Sequence, residues 1–512
     1  MDATMRSQGR PHRSLWNACW CAIQPLRPAF SYRATFMWFA TIVVGMMVRS
    51  ELRGVTSIVR ALNLRPDRYN PLRKCFHSTA IKLDQLTALW VQAVLRLFTN
   101  PVRFNGRLVL IGDGVKAAKR GKKMPAVKLL HQQSNCSTKP EYIMGHSLQA
   151  VALLVNAASS VFAVPLAIQI HEGLVWSNRD KRTLLDKMLD LIKSLKVPEQ
   201  CYFVADTYYA AGKVVSGLLK QGNHLVSRVK SNAVAWFPAE PQSRPARGRP
   251  KLYGRKIRIK SLASDVGAMD VAVSPVYGER GVRIRYRVFD LMWRPVGRLV
   301  RFVAVVHPTR GTIVLMTTDL SLEAMDIIRI YGLRFKIELT FKQAAHQIGL
   351  FAYHFWMMDM KPLRYRNGNQ YLHRATDYYR DQVRRKTHAY HVFMQAGAIA
   401  HGLLQYLATE FTGLVWASFG SWLRTIRPGV PPSEFVVENV MRQTLPSRMA
   451  PKPVLWRNSS LNDKMPTTQR SSAWLHSQKI RIFRQNTRAN LPIDCCKPTT
   501  VLAIKPRRTR HS

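Results

Sequence analysis

Two short apolar runs, each stopping at an aspartate, constrain this chain more than any other feature. LVLIG (Leu108–Gly112) ends at Asp113, and YFVA (Tyr202–Ala205) ends at Asp206. Runs this short and this apolar read as strands buried on both faces. Leu148–Val155, Val161–Ile170 and His224–Val229 have the same character, with a hairpin expected around Ala157–Ser160. Thr183–Leu195 and the stretch from Asp206 to about Lys220 are helical in pattern. Strands alternating with helices predict an α/β sheet covered by helices on both faces. In such a sheet ligands gather at the carboxyl ends of the strands, where an aspartate is not explained by packing. Two carboxylates meeting there repel each other unless a divalent cation lies between them.

Flanking regions differ in period. Residues 1–33 are basic and interrupted by Pro11, Pro25 and Pro28, which predicts an irregular arm. Ala34–Val48 is almost wholly apolar, but shorter than the ~20 residues a bilayer needs, so a buried helix is expected and no membrane anchor. Val55, Ile58, Val59 and Leu62 form one helix face. Asn70-Pro71 reads as a cap followed by proline at the first helical position, opening a second helix that carries Arg73 and Lys74 beside apolar Leu72, Cys75 and Phe76. With a third helix at Asp84–Phe98, residues 34–100 read as a helix-turn-helix-like module that could enter a DNA groove, or else as a plain helical bundle.

Residues 232–300 change to period two. Val282–Val288 places an arginine at every second position, and Lys256–Lys260 alternates cationic with apolar in the same way. One face of these strands is therefore apolar and the other cationic, as in a β-rich insertion turned toward phosphate. Arg247-Gly248-Arg249-Pro250-Lys251 resembles a minor-groove hook, but a proline-broken lead-in to the insertion is the better reading of so short a motif. Residues 361–450 look helical, whereas 451–512 carry 13 Lys plus Arg against two Asp with little periodicity, which predicts a flexible basic tail.

Charge then names the partner. With 78 Lys plus Arg against 29 Asp plus Glu, the formal net charge is +49, which a compact chain sustains best against a polyanion. Nucleic acid fits, because each neutralised phosphate releases condensed counterions. Seven cysteines without a Cys-x-x-Cys pair exclude a zinc finger and a disulfide framework, and suit a reducing cytoplasm. No GxxxxGK[ST] loop is present, so ATP-driven chemistry has no support.

A third carboxylate is offered by Leu322–Gln347, expected as one long helix. There Tyr331, Arg334, Glu338 and Lys342 fall on a single stripe at i, i+3, i+7 and i+11. A surface ladder of i,i+4 ion pairs would give the same spacing. These residues resemble the Y-x(2)-R-x(3)-E-x(6)-K signature of bacterial insertion-sequence transposases of the three-carboxylate (DDE) type. Ile111–Pro125, Phe203–Lys213 and Ser418–Val430 look like the same group. The signature lysine falls at Ala345, and Lys342 stands one turn earlier.

The resemblance implies a ribonuclease-H-like mixed sheet with a β-rich insertion, flanked by N- and C-terminal helical regions. The catalytic domain would span 101–231 and 301–360, the insertion 232–300, and the C-terminal helices 361–450. It implies transposase chemistry, metal-dependent strand cleavage and strand transfer at the ends of a mobile element. Two Mg²⁺ ions (Mn²⁺ able to substitute), roughly 3.5–4 Å apart, would be bridged by Asp113 and completed by Asp206 and Glu338. Tyr331, Arg334, Lys342, Lys116, Lys119, Arg120, Lys122 and Lys123 would grip backbone, while Arg73 and Lys74 read the element ends. The partners would be double-stranded DNA, as terminal repeats and target, and a second copy in a homodimeric synapse at the nucleoid. A non-catalytic DNA-binding relic, or a nuclease of the same fold that does not join strands, remains open.

Overall fold

The computed structural model describes residues 11–52, 54–132, 140–240, 251–420 and 424–445. Five helices open the chain: α1 (Pro11–Ile23), α2 (Arg33–Val48), α3 (Thr56–Ala61), α4 (Tyr69–Phe76) and α5 (Leu83–Leu97). Strands follow as β1 (Arg103–Phe104), β2 (Arg107–Ala118), β3 (Lys128–His131), β4 (Tyr142–Ala157), β5 (Ser160–Ile170) and β6 (Leu174–Val175). Next come α6 (Leu184–Ser194), β7 (Cys201–Ala205), α7 (Gly212–Leu219) and β8 (His224–Arg228). The insertion supplies β9 (Val234–Pro238), β10 (Tyr253–Arg258), β11 (Asp270–Val273) and β12 (Arg283–Trp293), and the chain returns through β13 (Arg298–His307) and β14 (Gly311–Thr317). After α8 (Ala324–Gly332) and α9 (Lys336–Gln343), a two-residue β15 (Gln370–Tyr371) precedes α10 (Asp377–Glu410), α11 (Thr412–Ser418) and α12 (Glu434–Thr444).

The centre of the sheet is the α/β core that the apolar runs predict. β2, β7 and β8 are parallel neighbours, with Leu110 beside Phe203 and Phe203 beside Leu225. β4 lies antiparallel on the other side of β2, and the β4–β5 hairpin turns at Ala157 and Ser160. This mixed sheet, with helices before and after it, is a ribonuclease-H-like α/β fold. The insertion extends the same sheet. β14 pairs antiparallel with β8, placing Leu315 opposite Arg228, and β13, β12, β9 and β10 continue outward. An edge at β8 would leave a row of backbone groups without partners, and β14 closes it.

At the opposite side, β5 carries Pro165, which a central strand would not tolerate. Its outward carbonyls accept side-chain donors instead: Trp90 Nε1 at Pro165 (2.9 Å), Thr340 Oγ1 at Ala163 (2.9 Å) and Gln395 Nε2 at Leu166 (3.1 Å). Helices α5, α9 and α10 thus cover this strand and satisfy it.

Several expectations are corrected. The N-terminal helices do not stand apart, because one apolar cluster runs continuously from Leu15 to Leu445. Residues 11–29 are helical: Pro11 occupies the first position of α1, and Pro25 and Pro28 fall in the tight turn after it, so the prolines bound a helix instead of breaking one. Helix α4 starts at Tyr69, one residue before Asn70, and no side chain caps it, since the Pro66–Arg68 turn leads straight in. Residues 361–376 are largely irregular, with a two-residue strand at Gln370–Tyr371 and one tight turn at Leu372–Arg374. Ala34–Val48 does lie in a buried helix, and among the described residues no helix is long and apolar enough to cross a membrane. Residues 241–250, with most of the hook-like motif, and the tail from 446 onward lie outside the described residues.

Candidate active site

Parallel pairing between β2 and β7 ends at Ile111 and Val204. Asp206 follows the last residue of β7, and Asp113 stands two residues beyond the paired stretch on β2. Both carboxylates therefore leave the sheet at the carboxyl end of the parallel pair, where α/β sheets bind ligands. Asp113 does not end its strand: β2 continues to Ala118 with Asp113 opposite Ala150, because β4 keeps pairing after β7 has stopped. The Asp113 carboxylate accepts from the Gly114 amide at 2.7 Å. Asp206 caps a tight turn by accepting from Tyr208 N at 3.0 Å, and the Ser227 hydroxyl donates to its backbone carbonyl at 2.9 Å. Behind both lies buried Tyr209, whose hydroxyl accepts from Gln149 Nε2 at 3.2 Å.

The third carboxylate arrives on a broken helix. The long helix expected over Leu322–Gln347 is α8 and α9 with a turn at Leu333–Phe335 between them, followed by a wide turn at Ala344–Ile348. Bonds from Arg334 N to Tyr331 O and from Glu338 N to Phe335 O, at 3.1 and 3.0 Å, tighten the link. The stripe survives because the break is one tight turn. Arg334 spans two carboxylates, its guanidinium 3.4 Å from Asp113 and 2.9 Å from Glu338. Tyr331 is half-buried beside Arg334.

Burial pushes the Asp113 carboxyl up to about 6, and the charges of Asp206 and Glu338 push the same way against the Gly114 amide and Arg334. All three acids thus share one electrostatic neighbourhood. Their donors are all hard oxygens, the set that suits Mg²⁺. Among the described residues no three His, Cys, Asp or Glu side chains stand close enough to hold an ion as they are, and Arg334 meanwhile neutralises two of the acids.

The other expected contacts divide. Lys116, Arg120, Lys122 and Lys342 are exposed, as are Arg73 and Lys74 on the outer face of α4. Lys123 is partly buried and donates to Met358 O at 2.9 Å. Lys119 cannot grip DNA backbone in this fold. It is buried, donates to the carbonyls of Phe351 and Tyr353, and lies 3.4 Å from the centre of the Tyr353 ring, burial holding its ammonium near 7. The strand alternation that points Lys116 and Ala118 outward turns Ala117 and Lys119 inward. Ala345 lies in the wide turn after α9. On β12, Arg283 and Arg285 are exposed, whereas Arg287 pairs with Asp265 at 3.6 Å, so the cationic face is partly neutralised. Gln149, which backs the carboxylates, is not legible in the sequence, since only the β2–β4 register brings it there, whereas Tyr209 lies in the turn that Asp206 caps.

Comparison with known proteins adds the family. A sequence family described as DDE superfamily endonuclease matches residues 25–286, a span that takes in Asp113 and Asp206 and stops before Glu338. No curated protein matches the chain. Among solved structures it is similar to the piggyBac transposase in a synaptic complex with hairpin DNA, at 11% identity and a TM-score of 0.35, covering 86% of this chain and 78% of that one. The family match covers just over half of the sequence, and the chain belongs to the DDE superfamily of endonucleases.

Proposed function

We propose that the chain is a transposase that cleaves DNA strands at the ends of a mobile element and joins them to a target. The observation that carries this reading is Arg334 within ion-pair reach of both Asp113 and Glu338, beside the carboxyl end of the parallel strands that Asp206 directly follows. Two Mg²⁺ ions, when bound, would activate the attacking water or 3′-hydroxyl and stabilise the leaving oxygen. Asp113, Asp206 and Glu338 are the residues that would hold them.

The rest of the work falls to the chain's own cations. Lys116, Arg120, Lys122 and Lys342 are exposed and would hold backbone phosphates, Lys116 and Lys342 near the carboxylates for in-line displacement and Arg120 and Lys122 farther along the same DNA strand. Lys342, one turn beyond Glu338, would take the phosphate contact of the signature lysine that Ala345 lacks. Tyr331 and Arg334 would face the same strand. Arg73 and Lys74 would read the element ends as duplex DNA, and two copies would meet on paired ends as a homodimer, in the bacterial nucleoid.

Ala345 favours one second reading, a relic that binds DNA and no longer cuts. The deciding experiment supplies purified protein with element-end DNA and Mg²⁺ and resolves the products. Nicks together with joined strands are expected. Nicks alone would indicate a nuclease, and bound but intact DNA the relic.

A further inference from the structure

A second concave site lies along β2 from the carboxylates. Ala118 is five residues beyond Asp113 on that strand, which at roughly 3.3 Å per residue places the site about 17 Å away. There the ends of β2 and β4 and the segment around Leu363–Tyr365 enclose a cleft of about 390 Å³, within the ~300–1,000 Å³ typical of small-molecule sites. Its floor is apolar, formed by Ala118, Val127, Ile143, Met144 and Leu363. Tyr142 and Tyr365 line it while remaining 45% and 69% exposed, far more than aromatic rings in a packed interior. Arg120, Lys122 and Arg364 stand at the rim, exposed, and none of them has an ion pair among the described residues. Arg366 lies over the Tyr365 ring, 5.9 Å from its centre.

The cleft is built rather than incidental. Leu363 N donates to Lys122 O at 2.7 Å, Leu129 N donates to Asn367 O at 2.8 Å, and Asn367 N donates back to Arg364 O at 3.2 Å. A turn bonded on one flank to the β2–β3 connection and on the other to β3 therefore presents Arg364, Tyr365 and Arg366 outward in a fixed arrangement, which lowers the ordering cost of binding.

Cations alone would suffice for a duplex, whose bases are stacked inside it. An apolar lining with two part-exposed aromatic rings, Tyr142 tilted against His131 at 5.1 Å and Tyr365 beside Arg366, suits a ligand that brings flat, unpaired bases together with phosphates. We infer that this cleft binds unpaired nucleotides of single-stranded DNA, stacking a base on Tyr142 and Tyr365 while Arg120, Lys122 and Arg364 hold its phosphates. The inference deepens the reading of the chain as a DNA-processing enzyme and relies on it only for the identity of the polymer.

The test measures binding of the full-length protein with metal chelated, so that catalysis plays no part. A short fluorescein-labelled single strand and the same sequence as a duplex are titrated by anisotropy. The double variant Tyr142→Ala, Tyr365→Ala should lose about ten-fold in single-strand affinity for each stacked base, with duplex affinity changed less than about two-fold. Tyr142→Phe with Tyr365→Phe keeps both ring faces and should bind as the parent does; matching melting temperatures show that both variants fold. Equal losses on single strand and duplex, or no loss on either, would overturn the inference. Displacement of the labelled strand by free deoxyadenosine monophosphate would overturn it too, since the site would then serve a free nucleotide, as would tighter binding of RNA of the same sequence. A protein unable to cut DNA can still pass, and an active transposase can fail, so this outcome and that of the cleavage assay are independent.

Discussion

Replacing Asp113 by Asn should make the metal-free protein more stable while removing its cleavage activity. Folding raises the Asp113 carboxyl from 3.8 to about 6, chiefly by burial. Unfolded, the group releases its proton near 3.8; folded, it holds the proton until near 6. Between those values the folded chain binds the extra proton, so stability falls as pH rises, and above about 6 the full deficit remains. A shift of a little over two units corresponds to about 3 kcal/mol at ~1.4 kcal/mol per unit. A fifth of the side chain is in water, so this is an upper limit. Asparagine keeps the size, cannot ionise, and leaves the Arg334–Glu338 pair of 2.9 Å in place. For a folded region of this size, with an unfolding entropy of roughly 2.1 cal/mol/K per residue, the gain is about 3 °C in Tm. Thermal melts of parent and variant in chelator, from pH 4 to pH 8, check it. The difference should be near zero at pH 4, grow through pH 5 to 6 and then level. Added Mg²⁺ should stabilise the parent and not the variant. A variant less stable than the parent at pH 7, or a difference that does not change with pH, would refute the reasoning.

Glu338→Gln retains a hydrogen-bonding partner for Arg334 but removes a charged oxygen ligand. Cleavage should fall by more than the ~10–100-fold that loss of an outer-shell partner brings, with binding to element ends within about two-fold by gel shift. Arg73→Ala with Lys74→Ala removes two exposed cations of α4 and should lower the preference for element-end over random duplex in competition binding, while metal-dependent nicking of random DNA survives. Arg49→Met targets a buried guanidinium that donates to the carbonyls of Gly54, Ile348 and Gly349 and to Ser57. Ser57 Oγ and Ala352 N still serve the Gly54 and Gly349 carbonyls, so the main loss is the bond to Ile348 O; it should cost on the order of 1–3 kcal/mol, read as a lower urea midpoint with an unchanged slope.

Much of the core was legible because its signals are local. A five-residue apolar run cannot be exposed, and an aspartate at its end has no packing role, so Asp113 and Asp206 could be found without knowing which strands pair. The Arg334–Glu338 spacing is likewise local, and the tight turn at Leu333–Phe335 leaves that pair in contact. What was not legible depends on long-range pairing. Lys119 sits in a run of lysines and looks like part of a cationic loop; that β2 runs right up to it, and that its amide still bonds β4 at Met144, follows from β4, more than twenty residues later in sequence. The insertion's alternating pattern shows two unlike faces, but not that β14 would join it to β8 in a single sheet. Likewise, three helices with an apolar face each can form a free module or pack onto a larger body, and periodicity is the same in both cases.

That packing has a mechanical consequence. Helix α2 ends at Val48, and Arg49, directly after it, is fully buried and pairs with no carboxylate among the described residues. Burial lowers its guanidinium to about 10, so it stays charged, and it places that charge on the carbonyls of Ile348 and Gly349. Those carbonyls close the wide turn that follows α9, the helix of Glu338. A cation at a helix's carboxyl terminus compensates its dipole and fixes its last turn. Gly349 has φ of +65°, and a side chain there would meet Arg49 and Leu52, so the two segments are fitted at backbone level. Helix α3 begins from the same link, through the bond of Arg49 to Ser57. The N-terminal helices and the third carboxylate are therefore not two bodies joined by a linker. Arg49 thus ties the end of α2 and the start of α3 to the turn that closes α9, the helix of Glu338.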